Sequence, residues 1–397
     1  MNSLLLNTEI QAYIDTNLNA DISDLLLKGI NFSTVNTKDI IEQIEAKNRS
    51  QKKLPTWFNT KSIYYPNKLN IEQTSSEISA KYKANLVSGT SLIDLTGGFG
   101  VDTYYFSKQI EKATHCEINA KLSEITNHNY NTLKVSNVTC INEDGIASLK
   151  RLDQHYDWIY LDPSRRDDIK QKVFLLSDCA PNAKTFQGLF LKYAKNVMIK
   201  TSPLLDITAT LLDLKYVKDI HIIAVNNEVK ELLWVLERDY SGNVNIKTVN
   251  IQTVNIQKKA AQHFNFQYKN ESSALAEFSE PLTYLYEPNA AILKSGAFNS
   301  VSADLKVSKL HKHSHLYTSV ELIEFPGRRF KIEKQLPFNK KTFAKEKITK
   351  ANVTTRNFPL SVGDIRKKLK IKDGGSLYLF FTTNLNNVKV ILVCSKV

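Results

Sequence analysis

Near the end of its first quarter, the chain reads Leu92-Ile93-Asp94-Leu95-Thr96-Gly97-Gly98-Phe99-Gly100-Val101-Asp102. An apolar run that ends on an acidic residue and then meets three glycines predicts a buried strand, a tight turn and a helix start. Glycines in such a turn let a ligand approach bare backbone, as in strand-loop-helix sites for nucleotides. The spacing differs from the Gly-x-Gly-x-x-Gly pattern of dinucleotide sites and lacks the Gly-Lys-Ser/Thr ending of a P-loop.

Further apolar runs follow this stretch at residues 113–117, 138–141, 158–161, 197–199 and 220–225. Segments of helix length lie between most of them, and strands that alternate with helices predict a parallel sheet covered on both faces. Because crossover connections are right-handed, the carboxyl ends of the strands lie along one edge, where ligands bind. We therefore expect an α/β domain with its site at that edge.

Acidic residues close four successive strands of this predicted sheet, namely Asp94, Glu117, Asp144 and Asp162. Glu117 follows Asp94 by 23 residues, close to the ~20-residue interval of nucleotide-binding folds. A carboxylate at Glu117 can accept both hydroxyls of a ribose, and Asp144 can accept from the amino group of adenine. These groups, in this order, indicate an adenosine-containing ligand.

Residues 92–102 and the Asp162-Pro163 loop resemble class I S-adenosylmethionine (SAM) methyltransferases over about residues 70–255. The segment Ile71–Glu77 resembles motif X of these enzymes, which covers the methionine end of SAM. The resemblance implies SAM as the cofactor. The residues that it implies as SAM-binding are Gln73, Thr74, Asp94, Thr96, Gly97, Gly98, Gly100, Glu117, Asp144 and Asp162.

The chain as a whole resembles a bacterial family in which a ferredoxin-like module and a THUMP-like domain follow the methyltransferase domain. We expect an N-terminal helical region at 1–65, a Rossmann-like class I methyltransferase domain at 66–255, a ferredoxin-like α+β module at 256–322 and a basic THUMP-like domain at 323–397. THUMP domains accompany RNA-modifying enzymes, so the resemblance implies RNA, either tRNA or rRNA, as the partner.

The distribution of charge also favours RNA. Residues 301–397 hold 20 Lys and Arg against 7 Asp and Glu, so they carry the whole net charge of +13. A basic excess confined to one part of a chain is typical of proteins that bind a polyanion. Basic residues also alternate there with Phe325, Phe338 and Phe343, which suits phosphate contact combined with base stacking.

The loop after the fourth strand indicates which atom is methylated. It reads Asp162-Pro163-Ser164-Arg165-Arg166, whereas amino methyltransferases carry Asp/Asn-Pro-Pro-aromatic. The part that accepts a hydrogen bond from an amine is kept. The stacking ring is replaced by Arg165, and a guanidinium can stack on a base or hold a phosphate. We expect Asp162, Pro163, Ser164 and Arg165 to form the catalytic loop and favour methylation of a base nitrogen.

Other activities stay open. Ribose 2′-O-methylation uses a Lys-Asp-Lys-Glu set, which Lys81 or Lys83, Asp162, Lys200 and Glu228 or Glu231 can supply in this order. A methyltransferase for protein or small molecules, or a SAM- or RNA-binding protein without activity, also fits. Methylation at carbon-5 of a pyrimidine is disfavoured because no cysteine nucleophile directly follows Pro163, and Cys179, more than a dozen residues further on, is expected in a helix.

Local patterns predict several smaller features. Residues 9–18, 21–27 and 39–53 suggest amphipathic helices, and Thr74-Ser75-Ser76-Glu77 suggests a capping box that opens a helix ending near Leu86. Short strands are expected at 282–286 and 319–325, a basic helix at 362–369, and a closing β-hairpin from 376–383 and 388–394. His311, His313 and His315 would share one face of a strand, but with no cysteine or carboxylate partner no metal site is expected.

Composition limits the compartment. The four cysteines form no Cys-x-x-Cys pair, so a zinc knuckle, an iron–sulfur site or a disulfide framework is not indicated. The first residues lack a basic region and a long apolar stretch, and no run approaches the ~20 apolar residues of a membrane span. We expect a cytoplasmic protein with no membrane association.

Overall fold

The computed structural model describes residues 1–30, 32–165, 175–254 and 258–397. The chain forms two compact units. Unit 1 comprises Met1–Val217 and Trp234–Tyr240, and unit 2 comprises Lys218–Leu233 and Ser241–Val397.

Unit 1 opens with a series of α-helices, of which the first three match the amphipathic segments expected at 9–18, 21–27 and 39–53. Asparagine, aspartate or serine side chains cap most of them by accepting from free backbone N–H groups in the first turn. The helices are α1 (Thr8–Thr16), α2 (Ile22–Lys28), α3 (Thr37–Lys53), α4 (Pro55–Asn59), α5 (Lys68–Gln73) and α6 (Glu77–Ala84).

The predicted capping box at Thr74–Glu77 is wrong. Ser76 caps α6 and accepts from the N–H of Ser79, while Thr74 ends α5. The buried carboxylate of Glu77 instead accepts from the hydroxyls of Thr56 and Tyr105, at 2.9 and 2.6 Å. Glu77 therefore joins three helical segments, a tertiary role that local spacing does not reveal.

The predicted α/β class is confirmed. Strands and helices alternate through unit 1 as β1 (Ser91–Asp94), α7 (Val101–Phe106), β2 (Lys112–Cys116), α8 (Ala120–Thr132), β3 (Val138–Ile141), α9 (Gly145–Leu152), β4 (Tyr156–Leu161), β5 (Ser164–Arg165), β6 (Cys179–Ala180), α10 (Ala183–Tyr193), β7 (Ala194–Thr201) and α11 (Ile207–Asp213). The order across the sheet is β7-β4-β1-β2-β3, and all four pairings are parallel. The carboxyl ends of these five strands therefore share one edge. Strands β5 and β6 form a separate antiparallel pair.

Four further strands are β8 (Val217–Val225), β9 (Glu228–Glu237), β10 (Asn245–Val254) and β11 (Lys258–Gln267). Within unit 2 their order is β11-β10-β8-β9, with β10 parallel to β8 and antiparallel to β11. The last residues of β9 belong to unit 1, where they lie beside β7. The expected boundary at 255/256 lies outside the described residues, and the four domain ranges stay predictions.

The rest of unit 2 is built on a seven-stranded sheet in the order β13-β14-β12-β15-β18-β17-β16. Only the pairing of β16 with β17 is parallel. The elements are α12 (Asn270–Ser273), β12 (Tyr284–Pro288), α13 (Ala290–Ser295), α14 (Phe298–Leu305), β13 (Ser308–Lys309), β14 (Tyr317–Ser319), β15 (Gly327–Pro337), α15 (Lys340–Lys345), β16 (Asn352–Arg356), α16 (Val362–Leu369), β17 (Leu377–Thr383) and β18 (Lys389–Lys396).

The closing hairpin and the basic helix are confirmed as β17–β18 and α16. The strand expected at 319–325 is wrong, because β14 ends at Ser319. The histidines do not lie on a strand either, since residues 312–314 form a turn. The ring of His311 hydrogen-bonds to the amides of Asn357 and Asn387, at 2.9 and 3.1 Å.

Among the described residues, neither a metal-binding cluster nor a membrane-spanning helix is found. The described ranges contain no cluster of three or more His, Cys, Asp or Glu side chains that could hold a metal ion. Among the same residues, no helix is both long and apolar enough to cross a membrane.

The pairing of β12 with β15 leads to a test. A Cβ atom on Gly327 would lie 2.1 Å from the carbonyl oxygen of Glu287, so Gly327→Ala must separate the two strands. We expect a loss of about 1–3 kcal/mol in the free energy of unfolding, measured by urea titration with circular dichroism. The control Gly363→Ala lies in α16, where the nearest atom is 3.7 Å away, and should gain up to about 1 kcal/mol. Equal stability of Gly327→Ala and the wild-type protein would contradict this packing.

Candidate active site

The glycine loop joins β1 to α7, and its three positions do not all carry glycine for the same physical reason. A Cβ atom on Gly97 would lie 2.2 Å from the His115 ring, and one on Gly100 would lie 2.3 Å from the Tyr130 hydroxyl. A Cβ atom on Gly98 would meet nothing nearer than 3.9 Å, and its φ is +56°. Packing inside the protein therefore requires Gly97 and Gly100, whereas Gly98 presents open backbone that a ligand can approach.

Asp94 stabilises this loop by accepting hydrogen bonds. Its buried carboxylate accepts from the N–H of Thr96 at 3.0 Å and from the hydroxyl of Thr103 at 2.6 Å. Burial raises the pKa of Asp94 to about 7, partly offset by these two hydrogen bonds. Asp94 therefore sets the turn rather than standing open to solvent.

Glu117 directly follows β2 and faces the loop. One carboxylate oxygen accepts from the N–H of Gly98 at 2.9 Å, and the other accepts from the N–H of Asn119 at 2.7 Å. These bonds place an acceptor pair beside the open glycine. The next side chain, Ile118, is 71% exposed, and the acidic pattern gave no reason to single it out. An exposed aliphatic group beside this carboxylate provides an apolar wall for a flat ring.

The next strand end carries Asp144, which is exposed and caps α9 by accepting from the N–H of Ala147 at 2.9 Å. Gly145 packs against the backbone of Leu95, where a Cβ atom would lie 2.2 Å from the carbonyl oxygen. This contact brings the start of α9 against the end of β1. The loops that carry Asp144 and Thr96 therefore meet at the same edge.

The end of β4 brings Asp162 to the same edge. Its N–H donates to the Thr96 hydroxyl at 2.6 Å, and its carboxylate forms an ion pair with Lys200 of β7. Pro163 is buried and Ser164 is exposed. The backbone of Arg165 pairs with Cys179 in the β5–β6 ribbon, so the expectation of a helix at Cys179 is wrong. Arg166 lies outside the described residues.

A buried network that the sequence reasoning missed joins the segment before the glycine loop to the sheet. The Lys83 ammonium lies 2.9 Å from the carboxylate of Asp102, and Lys83 is fully buried. Ser75 accepts from Lys83 at 2.7 Å and donates to Asp102 at 2.8 Å, while the Tyr160 hydroxyl donates to Asp102 at 2.7 Å. Ser75 thereby fixes the segment in which Thr74 and the exposed Gln73 lie.

Electrostatics hold this network in its ionised form. Burial by itself raises the pKa of Asp102. The Lys83 and Lys200 ammonium groups, with hydrogen bonds from Lys83 and Tyr160, outweigh burial, so the pKa is lowered below its ordinary value. The only sequence signal was a lysine on the buried side of α6, between Ala80 and Ala84.

The lysines that the sequence offers for ribose methylation form separate ion pairs. Lys81 pairs with Glu77 at 3.4 Å, Lys83 with Asp102, and Lys200 with Asp162. In unit 2, Glu228 pairs with Lys230 at 2.6 Å. Within this set, Asp162 and Lys200 form an ion pair.

Comparison with known families identifies two domains in the carboxyl-terminal part of the chain. Residues 284–326 match a ferredoxin-like domain, and residues 327–396 match a THUMP domain-like family. The first range contains β12 to β14 and the second contains β15 to β18. The two domains therefore share one sheet.

One solved structure matches the chain as a whole. It is a candidate methyltransferase from Porphyromonas gingivalis W83, with a TM-score of 0.88 and 30% identity over 100% of this chain and 98% of that one. The chain belongs to the same family, the class I methyltransferases in which a ferredoxin-like and a THUMP-like domain follow the methyltransferase domain. The resemblance found in the sequence is confirmed.

Other likenesses are weaker. An rRNA methylase from Streptococcus thermophilus has a TM-score of 0.30 and 13% identity over 41% of this chain and 94% of that one. A candidate methyltransferase from Streptococcus mutans in complex with SAH has a TM-score of 0.31 and 14% identity over 41% of this chain and 96% of that one. Both scores are too low to inform on function, and a search of curated proteins finds no match.

The buried network predicts the effect of Asp102→Asn. This change leaves Lys83 buried without a countercharge, so we expect a loss of about 3–5 kcal/mol at pH 7. A lowered folded-state pKa contributes stability that is present above the unfolded value, about 3.9, and is lost as the pH falls through the folded value. The difference between wild type and variant should therefore shrink as the pH falls from about 5 to 3. Urea titrations over this range measure it.

The exposed Asp239→Asn, also in unit 1, is the control and should stay within about 0.5 kcal/mol of wild type. A deficit for Asp102→Asn that does not change with pH would contradict the assignment of a charged Asp102.

Proposed function

We propose that this protein is a SAM-dependent methyltransferase that modifies a base nitrogen of RNA. The observation that carries the proposal is the grouping at one sheet edge of an open glycine backbone, an acceptor pair and a second carboxylate. These are Gly98, Glu117 and Asp162, each following a different parallel strand.

The residues at this edge fit SAM. Glu117 would accept the ribose hydroxyls, Ile118 would pack against the adenine ring, and Asp144 would accept from the adenine amino group. Gly98 leaves space for the ligand beside its backbone. Gln73, Thr74, Asp94, Thr96, Gly97 and Gly100 support the same site by shaping the two loops around it. When bound, SAM supplies a methyl group that is already electrophilic.

The chain's part in the reaction is positioning. Asp162 would accept a hydrogen bond from the N–H of the target nitrogen and direct its lone pair toward the methyl group. The bond from the Asp162 N–H to Thr96 ties this carboxylate to the glycine loop. Pro163 and Ser164 would form the wall beside the base. The expected contact of Arg165 with the base or a phosphate stays a prediction from the sequence, because its side chain lies outside what the structure describes.

RNA is supported by a basic surface on the THUMP-like domain, here called the lysine surface. Residues 340–372 hold eleven basic and two acidic residues. Nine lysines in this range are exposed, and none forms an ion pair within the part of the chain that the structure describes. They are Lys340, Lys341, Lys345, Lys347, Lys350, Lys367, Lys368, Lys370 and Lys372.

Helix α16 shows how this surface is built. Ile365 packs into a core with Phe343 and Phe381, which leaves Lys367 and Lys368 in solvent. Lys368 also lies 5.0 Å from the centre of the Phe338 ring. Unpaired ammonium groups beside a partly exposed ring suit a phosphate backbone with neighbouring bases. The same arrangement gives no reason for a small-molecule substrate.

Binding of SAM tests the cofactor assignment. Glu117→Ala removes the acceptor pair, so we expect calorimetry to show an affinity roughly tenfold to a hundredfold weaker. Glu111→Ala is the matched control, because Glu111 is exposed and precedes the same strand whose other end carries Glu117. Equal affinity of the two variants, with equal thermal stability, would remove Glu117 from the site.

Transfer to RNA tests the catalytic assignment. With labelled SAM and total RNA, Asp162→Ala should abolish incorporation while the affinity for SAM stays within about tenfold, because Asp162 orients the nucleophile. Glu111→Ala should retain wild-type incorporation. Comparable turnover by Asp162→Ala would contradict the proposed role of the loop.

A further inference from the structure

Lys200 is a second charged group at the sheet edge that carries Asp162. It lies one residue before the end of β7, and its ammonium bonds to Oδ2 of Asp162. The Lys200 side chain is 13% exposed and that of Asp162 is 33% exposed. An ion pair at this depth is partly shielded from water and holds both groups more firmly than a surface pair does.

Two further carboxylates interact electrostatically with this pair. Asp94, which ends β1, interacts with Asp162, and Asp102 in α7 interacts with Lys200. Asp102 is itself bound by Lys83 of α6 and Tyr160 of β4. The Lys200 charge contributes to the lowered pKa of Asp102. The ammonium of Lys200 therefore lies in the field of two carboxylates. It contacts that of Asp162 directly, and it acts on that of Asp102 electrostatically.

Such an ammonium is unsuited to act as a base. A lysine that removes a proton from a ribose hydroxyl must first become neutral, and nearby carboxylates favour its charged form. The same charge suits another task, which is to hold one oxygen of Asp162 and leave the other for a hydrogen-bond donor on the substrate.

We propose that Lys200 is a positioning residue that stays protonated, orients Asp162 and thereby selects a base nitrogen rather than a ribose hydroxyl as the methyl acceptor. This inference rests on the proposed function. In the reaction the nitrogen lone pair forms the N–C bond as the bond from methyl to sulfur breaks, and its electron pair stays on sulfur. The methylated nitrogen then releases a proton to water. Lys200 neither gains nor loses a proton.

Arginine and methionine at position 200 separate positioning from base catalysis. Arginine keeps the charge and the hydrogen bond to a carboxylate but cannot act as a base at neutral pH. We expect Lys200→Arg to retain at least about a tenth of the wild-type kcat and Lys200→Met to lose about a hundredfold, with little change in the affinity for SAM. Lys195→Met, an exposed position on the same strand, is the control and should match wild type.

The product gives a second readout that needs no variant. Labelled RNA is digested to nucleosides, and the inference expects the methyl group on a base. Label on the ribose 2′-oxygen would overturn both the inference and the choice of a base nitrogen in the proposed function, whereas RNA methylation by a SAM-dependent enzyme would stand.

Two further outcomes are decisive. If the wild-type protein transfers methyl groups and the Arg and Met variants, both folded, are equally inactive, the inference is wrong and the proposed function stands. If the wild-type protein transfers no methyl group to RNA, the proposed function is wrong and the inference falls with it.

Discussion

The ion pair between Lys83 and Asp102 is the interaction on which the sheet edge that carries Asp94, Glu117 and Asp162 depends. Removing two charges from water costs several kcal/mol per ion, and a buried pair persists only where further hydrogen bonds complete it. Ser75 and Tyr160 supply those bonds. Because the four groups come from the segment before α6, from α6, from α7 and from β4, the pair fixes the segment before α6 against α7 and the sheet.

A second constraint is steric. The glycine loop fits closely over the imidazole of His115 and the hydroxyl of Tyr130. Burial lowers the pKa of His115 to about 4, so this ring is neutral at pH 7 and adds no positive charge beneath the loop. The three glycines therefore combine two requirements, close packing at Gly97 and Gly100 and open backbone at Gly98. A motif defined by glycines alone conceals that division.

Much of the fold follows from the sequence because its signals are local. Apolar runs with helix-length spacers give β1 to β4, and an acidic residue after each strand gives the sheet edge that carries both Glu117 and Asp162. The errors come from contacts between distant segments. Glu77 has the spacing of a capping residue but bonds to Thr56 and Tyr105, and the alternating histidines lie in a turn where Asn357 and Asn387 bind His311. Nothing in the spacing of Lys83 and Asp102 shows that they meet.

The most direct test of the account is to incubate the purified protein with methyl-labelled SAM and total RNA from cells that lack its gene, with the protein fraction as a parallel acceptor. A SAM-dependent RNA methyltransferase should place label in the RNA fraction, and nuclease but not protease should release that label. Label confined to protein or small molecules, or SAM binding without transfer to any fraction, would contradict the account.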